Sequence, residues 1–124
     1  MKAKQFFGEF FKEMRIKGNF TLREFCNKFG YDPGNISKIE RGLLKPPNSK
    51  EKLEKYALDL GLERGSDNWI EFIDRASACK GEIPEELLDN EAVLKKLPLI
   101  FRTFRNKRVT NKAIDELIEQ IRRL

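Results

Sequence analysis

The sequence contains no histidine, only two cysteines and no long hydrophobic run. Histidine is the commonest metal ligand and the commonest general base, so its absence argues against catalysis and against most metal sites. Cys26 and Cys79 cannot form a structural zinc site by themselves, and in a reducing cytosol both are expected to be free thiols. No apolar run approaches the roughly 20 residues of a membrane span, and residues 1–11 lack a secretory pattern. We therefore expect a cytoplasmic protein that does not contact a membrane, is not an enzyme and needs no metal or cofactor.

The composition fits one domain, or a small domain with an appendage, in a chain of 124 residues. Hydrophobic residues make up 40% and ten residues are phenylalanine, which is enough for a packed core. The net charge of +5 is unevenly distributed, since two basic blocks, 1–62 and 90–124, flank the acidic block 63–89. A basic N-terminal domain favours a polyanionic partner, and nucleic acid is the usual one. An ordinary solvated surface is the alternative explanation.

The apolar residues recur at helical spacing throughout, which predicts an all-α fold. The first helix is expected over residues 4–17, with one apolar stripe. That stripe consists of Phe6, Phe7, Phe10, Phe11 and Met14. Further helices are expected after the capping residues Ser49, Ser66 or Asp67, Asn90 and Thr110, with a short turn at 84–88. Pro98 lies inside the helix that begins at Asn90, so we expect a kink there or two separate pieces.

The segment 21–42 indicates two short helices joined by a tight turn. Thr21 and Glu24 have the spacing of a capping box, and Gly30 suits a left-handed helix end. Asp32 is expected to cap the second helix, with Pro33 at its first position. This is the pattern of a helix-turn-helix, whose second helix enters the DNA major groove.

The stretch from Phe20 to Gly42 resembles the Cro/cI-type (XRE) helix-turn-helix regulators, above all in its ending, Ile36-Ser37-Lys38-Ile39-Glu40-Arg41-Gly42. The resemblance covers about residues 4–62. It implies a five-helix DNA-binding domain, which we place at residues 1–65, followed by a helical C-terminal extension at residues 66–124.

The resemblance also implies which residues meet the DNA. Asn35 and Lys38, with Pro33 and Gly34, occupy the groove-facing positions. Pro33 and Gly34 stand where other members often have long polar side chains, so base contacts are expected to come largely from Asn35 and Lys38. The phosphate positions are Thr21, Arg23, Ser37, Arg41 and Lys45. Each of two residues also has a simpler explanation. The alternative for Lys38 is an ordinary solvated lysine, and the alternative for Arg41 is an ion pair with a neighbouring acid.

A structural ion pair follows from the same resemblance. Glu40 occupies a position that typically pairs with a basic residue on the first helix, and Arg15 matches that residue. The pair is expected to be partly buried and to tie the second helix of the motif to the first helix of the domain.

The last helix has a narrow apolar face for dimerisation or for a partner. The face consists of Ile114, Leu117, Ile118, Ile121 and Leu124. We expect it to pack across a two-fold axis in a homodimer; the alternative is that it folds back on Leu97, Ile100 and Phe104. The expected function is a sequence-specific, dimeric DNA-binding regulator, a repressor, that inserts the helix at 33–41 into double-stranded DNA. The alternative is an antitoxin that captures a toxin through its C-terminal half and autoregulates its operon.

Overall fold

The computed structural model describes residues 1–124 and is all-helical, with eight α-helices and no strand. The helices are α1 (Ala3–Lys17), α2 (Leu22–Phe29), α3 (Pro33–Glu40), α4 (Lys50–Asp59), α5 (Asp67–Lys80), α6 (Glu85–Leu88), α7 (Glu91–Asn106) and α8 (Asn111–Arg122). The chain forms two compact units, Met1–Pro84 and Glu85–Leu124. None of the eight helices combines the length and the apolar character that a bilayer crossing requires.

The expected capping residues begin the helices of the first unit. The Thr21 hydroxyl accepts a hydrogen bond from the Glu24 backbone N–H at 3.1 Å, and the Glu24 carboxylate accepts from the Thr21 N–H at 3.4 Å. The Asp32 carboxylate accepts from the Asn35 N–H at 3.0 Å and begins α3. Each bond satisfies a backbone donor that a helix start would otherwise leave without a partner.

Aromatic rings packed around α1 form the core of the first unit. The Phe11 ring lies 5.8 Å from Phe25 of α2, 5.5 Å from Tyr56 of α4 and 6.1 Å from Phe72 of α5, measured between ring centroids. Phe7, on the same face of α1, lies 5.0 Å from Phe72. Burial of rings of this size supplies most of the apolar stabilisation of such a small unit. Four residues of the expected stripe form the centre of the core, namely Phe7, Phe10, Phe11 and Met14, whereas Phe6 is exposed. Helix α1 is the helix on which the others assemble.

The first compact unit continues to Pro84, beyond the boundary expected after residue 65. The reason is α5, whose Trp69, Phe72 and Ala76 are buried in the same core. The Arg75 guanidinium also lies 3.9 Å from the ring centroid of Phe6 and donates to the Phe6 carbonyl oxygen at 2.8 Å. Helix α5 therefore completes the N-terminal unit instead of beginning an extension.

The second unit, residues 85–124, contains no buried residue. Its short helix α6 packs against α7, while the apolar side chains of α7 and α8 stay half-exposed or exposed. Helix α7 runs without interruption through Pro98, so the two separate pieces that proline suggested are not present. The Asn90 and Thr110 side chains cap α7 and α8 as expected.

A polar network fastens the turn between α2 and α3 to α4. The Tyr31 hydroxyl donates to the Asp59 carboxylate, and the Lys55 ammonium donates to the Tyr31 hydroxyl oxygen at 2.8 Å and to Asp59 at 2.8 Å. The Tyr31 ring packs edge-on against Tyr56 at 5.0 Å. Burial, and then the hydrogen bond to the Asp59 carboxylate, raises the pKa of Tyr31; burial also raises the pKa of Tyr56.

These raised values predict how the protein responds to alkali. Both tyrosines of the sequence are affected. In the unfolded chain they lose their protons near pH ~10, whereas the folded state retains them, so stability falls as the pH rises above that value. We expect the tyrosinate absorbance of the native protein to rise only when helical circular dichroism is lost. A denaturant-unfolded control should titrate normally, and a normal titration with intact helical signal would contradict the buried network.

Candidate nucleic-acid interface

The candidate interface is built on α2 and α3, two eight-residue helices joined through residues 30–32. Gly30 ends α2 in the left-handed conformation, with φ of 77°, which glycine adopts without strain. Phe25 and Cys26 of α2 and Ile36 and Ile39 of α3 are buried in the shared core. Cys26 is a small side chain, and its burial with Ile36 lets the two helices lie close together. Its pKa is raised by burial, as expected for an inert core thiol.

Helix α3 presents one face to the core and the opposite face to solvent. Ile36 and Ile39 are buried, whereas Asn35 and Lys38 are exposed. Pro33 and Gly34, at the start of the helix, are exposed as well, and Ser37 is half-buried. The four residues expected to face the groove therefore lie on solvent-accessible positions of one short helix.

The basic side chains of this face are not neutralised by acids. Lys38 forms no ion pair, and Arg41, just after α3, donates its Nε hydrogen to the Ser37 carbonyl oxygen at 3.3 Å. Arg41 thus contacts a backbone carbonyl and not the acidic neighbour considered as its alternative partner. Both positive charges are available to an incoming anion.

The remaining expected phosphate contacts lie on either side of α3. Thr21 and Arg23 are exposed at the start of α2, and Arg23 forms no ion pair. Lys45 is exposed in the connector between α3 and α4, next to the buried Pro46. The Thr21 hydroxyl oxygen accepts the hydrogen bond from the Glu24 N–H in the capping box, although Thr21 itself is exposed.

Behind this surface, Arg15 and Glu40 form a bidentate ion pair between α1 and the last residue of α3. Arg15 Nε and Nη2 donate to Glu40 at 2.7 and 2.9 Å, and Nη1 donates to the Phe20 carbonyl oxygen at 2.8 Å. Only 8% of the Arg15 side chain and 6% of the Glu40 side chain are exposed. The hydrogen bonds to Glu40 raise the pKa of Arg15, although burial acts in the opposite direction. One guanidinium thus joins α1, the end of α3 and the loop before α2.

A glycine contact brings α1 and α3 closer than ordinary side chains allow. A Cβ atom placed on Gly8 would overlap the Ile39 carbonyl oxygen and would lie 2.7 Å from that of Glu40. A Cβ atom placed on Gly42, whose φ is 75°, would lie 2.6 Å from the Gln5 Cγ and 2.9 Å from the Gln5 backbone N on α1. The backbone of α1 therefore rests directly on the last turn of α3 and fixes its position.

Two of these supporting contacts were not expected from the sequence. A glycine inside an apolar helical stripe signals a close backbone approach, so Gly8 was recognisable in principle. The contact of Tyr31 with Lys55 and Asp59 joins residues 24 and 28 positions apart, and nothing in the local pattern marks it.

The apolar face of α8 belongs to the second unit. Ile114 and Leu117 line an open cleft with Phe104, and the rest of the face is exposed. The alternative was that this face folds back on Leu97, Ile100 and Phe104. Of these three residues, only Phe104 lines the cleft with Ile114 and Leu117, and no residue of the face is buried.

Comparisons of the chain with protein-family models, with curated proteins and with solved structures found no match. No group of three or more histidine, cysteine or acidic residues is arranged to hold a metal ion.

The Arg15–Glu40 pair yields a stability prediction. Arg15→Met or Glu40→Leu alone leaves a buried charge without its partner and should cost about 3–5 kcal/mol of unfolding free energy. The double variant should cost less than either single change, even though the Phe20 carbonyl loses its donor. Chemical denaturation of the four proteins measures the coupling. Additive losses would show that the two residues do not interact. The exposed ion pair Glu91–Lys95 is the control, since removing either partner there should change the free energy of unfolding by less than about 1 kcal/mol.

The close approach at Gly8 yields a second prediction. Gly8→Ala must move either α1 or the end of α3, and overpacking of this kind costs about 1–3 kcal/mol despite the better helix propensity of alanine. Gly18→Ala is the matched control, because its Cβ would meet its nearest neighbours at an ordinary 3.5 Å and its φ is −78°. Thermal unfolding compares the two variants, and equal stabilities would show that the contact at Gly8 is easily relieved.

Proposed function

We propose that this chain is a sequence-specific DNA-binding transcription regulator, a repressor of the Cro/cI type. In this proposal residues 20–42 form the helix-turn-helix of a five-helix domain, and α3 enters the major groove. The protein binds as a homodimer, which places two such helices about 34–36 Å apart, one turn of DNA.

The observation that best supports this proposal is the contrast between the two sides of α3. Its outer side has exposed polar and basic residues without acidic partners, Asn35, Lys38 and Arg41. Its inner side is held by a buried bidentate ion pair and by direct backbone contact with α1. A rigidly held helix with free donors suits base readout, because ordering costs at binding are then small.

The proposed division of contacts follows from side-chain chemistry. Asn35 has an amide that can pair with adenine, and Lys38 can donate to guanine O6 and N7. Arg23, Arg41 and Lys45 are long cations at the edges of the helix pair, where they would neutralise phosphates. Phosphate contacts of this kind give affinity and register without sequence preference.

This division predicts different effects for two substitutions. Arg41→Ala should weaken binding to every DNA sequence alike and lower the slope of log affinity against log salt by about one unit. Lys38→Ala should instead relax the preference among operators, with a loss of about 1–3 kcal/mol at the best site. The operator is first obtained by selection of bound DNA from a random pool and by footprinting at a fixed salt concentration.

Lys12→Ala is the control, since Lys12 is an exposed lysine of α1 outside the helix pair. It should leave affinity, preference and salt slope nearly unchanged. Unchanged DNA binding by both the Lys38 and Arg41 variants would contradict the placement of α3 in the groove. Failure to select any DNA would contradict the proposed function itself.

A further inference from the structure

Helix α8 has an apolar face that the rest of the second unit, residues 85–124, leaves exposed. The exposed fractions run from 37% at Ile114 to 100% at Leu124. Five apolar side chains share the face, namely Ile114, Leu117, Ile118, Ile121 and Leu124. An isolated helix of 12 residues is marginal in water, so α8 needs a second surface to remain helical.

The first half of α8 also borders a cleft of about 250 Å³ inside the second unit. The cleft lies between the end of α7 and the start of α8, and Phe104, Val109, Ile114 and Leu117 are among its lining residues. It is continuous with the apolar face of α8, so one partner can cover both. The partner must place apolar side chains beside the first half of the helix.

The charges beside the apolar face are confined to one flank. Asp115 and Arg122 are seven residues, two helical turns, apart and lie along the same edge. The other edge has the uncharged residues Ala113 and Gln120 at the same spacing. Neither Asp115 nor Arg122 forms an ion pair within the chain. One flank thus has an unpaired acid near the start of the helix and an unpaired base near its end.

We propose that the face of α8 is covered by α8 of a second copy of this chain, running antiparallel across a two-fold axis. In an antiparallel helix pair, each flank faces the same flank of its partner. Asp115 of one copy then meets Arg122 of the other, and the symmetry repeats the pair at the opposite end. The same arrangement brings Ile121 and Leu124 of each copy to the first half of the other α8, where the cleft opens.

A parallel arrangement does not use these charges. It would place Asp115 and Arg122 against the uncharged flank with Ala113 and Gln120, and both would remain unpaired. The charge pattern is therefore complementary to itself in one orientation only, which favours a second copy over an unrelated protein. The inference deepens the dimer of the proposed function by assigning its contact and its orientation.

The test is the association constant of full-length protein, measured by sedimentation equilibrium at low salt. The wild-type chain of 14.6 kDa should sediment as a dimer. Asp115→Arg and Arg122→Asp each replace two attractive pairs by two repulsive ones and should each weaken the dimer about tenfold. The double variant D115R/R122D restores opposite charges across the axis and should return to within about threefold of the wild type.

The chain offers a matched control at the neighbouring position. Glu116→Arg makes the same kind of charge change as Asp115→Arg in the same turn, with a similar effect on the helix dipole, but Glu116 points away from the apolar face. This variant should dimerise nearly as the wild type does. Fluorescence of Trp69, the single tryptophan, verifies that the first unit is folded in every variant.

Three outcomes would overturn the inference. A monomeric wild type would show that no second copy covers the face. A dimer that is insensitive to both single variants would point to a parallel or unrelated contact. A double variant as weak as the single variants would exclude the antiparallel pairing. None of these measurements involves DNA, so they can fail while selection of an operator succeeds, or succeed while it fails.

Discussion

The buried pair of Arg15 and Glu40 is the constraint on which the proposed reading surface depends. An arginine and a glutamate with so little exposure are stable only if their polar atoms have partners. Here each guanidinium nitrogen donates a hydrogen bond, two of them to Glu40 and one to the Phe20 carbonyl. The pair fixes the end of α3, while Gly8 removes the side chain that would hold α1 away from it. Hydrophobic packing alone would allow α3 to slide or rotate on the core. The polar contacts select one position for it.

Much of the first unit follows from the sequence, because its signals are local. The capping box at Thr21, the left-handed Gly30 and the Asp32 cap each depend on residues within a few positions, and each appears as expected. The same holds for the caps at Asn90 and Thr110. The Arg15–Glu40 contact was expected from the family resemblance, since two charges 25 residues apart show no relation by themselves.

The arrangement of α5 did not follow from the sequence. Its Trp69 and Phe72 indicate a buried face, but an apolar face does not specify which core it joins. Joining the first core buries Phe72 against Phe7 and Phe11, which moves the end of the compact unit to Pro84. At Pro98 the sequence left two alternatives open, a kink or two separate pieces. Proline removes a single backbone donor, and α7 continues through Pro98 as one helix, so the two pieces are absent.

The contact between α1 and α5 has a consequence for how the chain acquires its structure. The hydrogen bond from Arg75 to the Phe6 carbonyl oxygen joins residues 69 positions apart in the sequence. The Arg15–Glu40 pair joins residues only 25 positions apart. Short loops close at a lower entropic cost, so α1, α2 and α3 can associate before α5 is available. During synthesis, the rings of Phe7 and Phe11 remain accessible on one side until Phe72 has emerged from the ribosome. Until that point the nascent chain lacks the ring that packs against Phe7 and Phe11 in the folded unit.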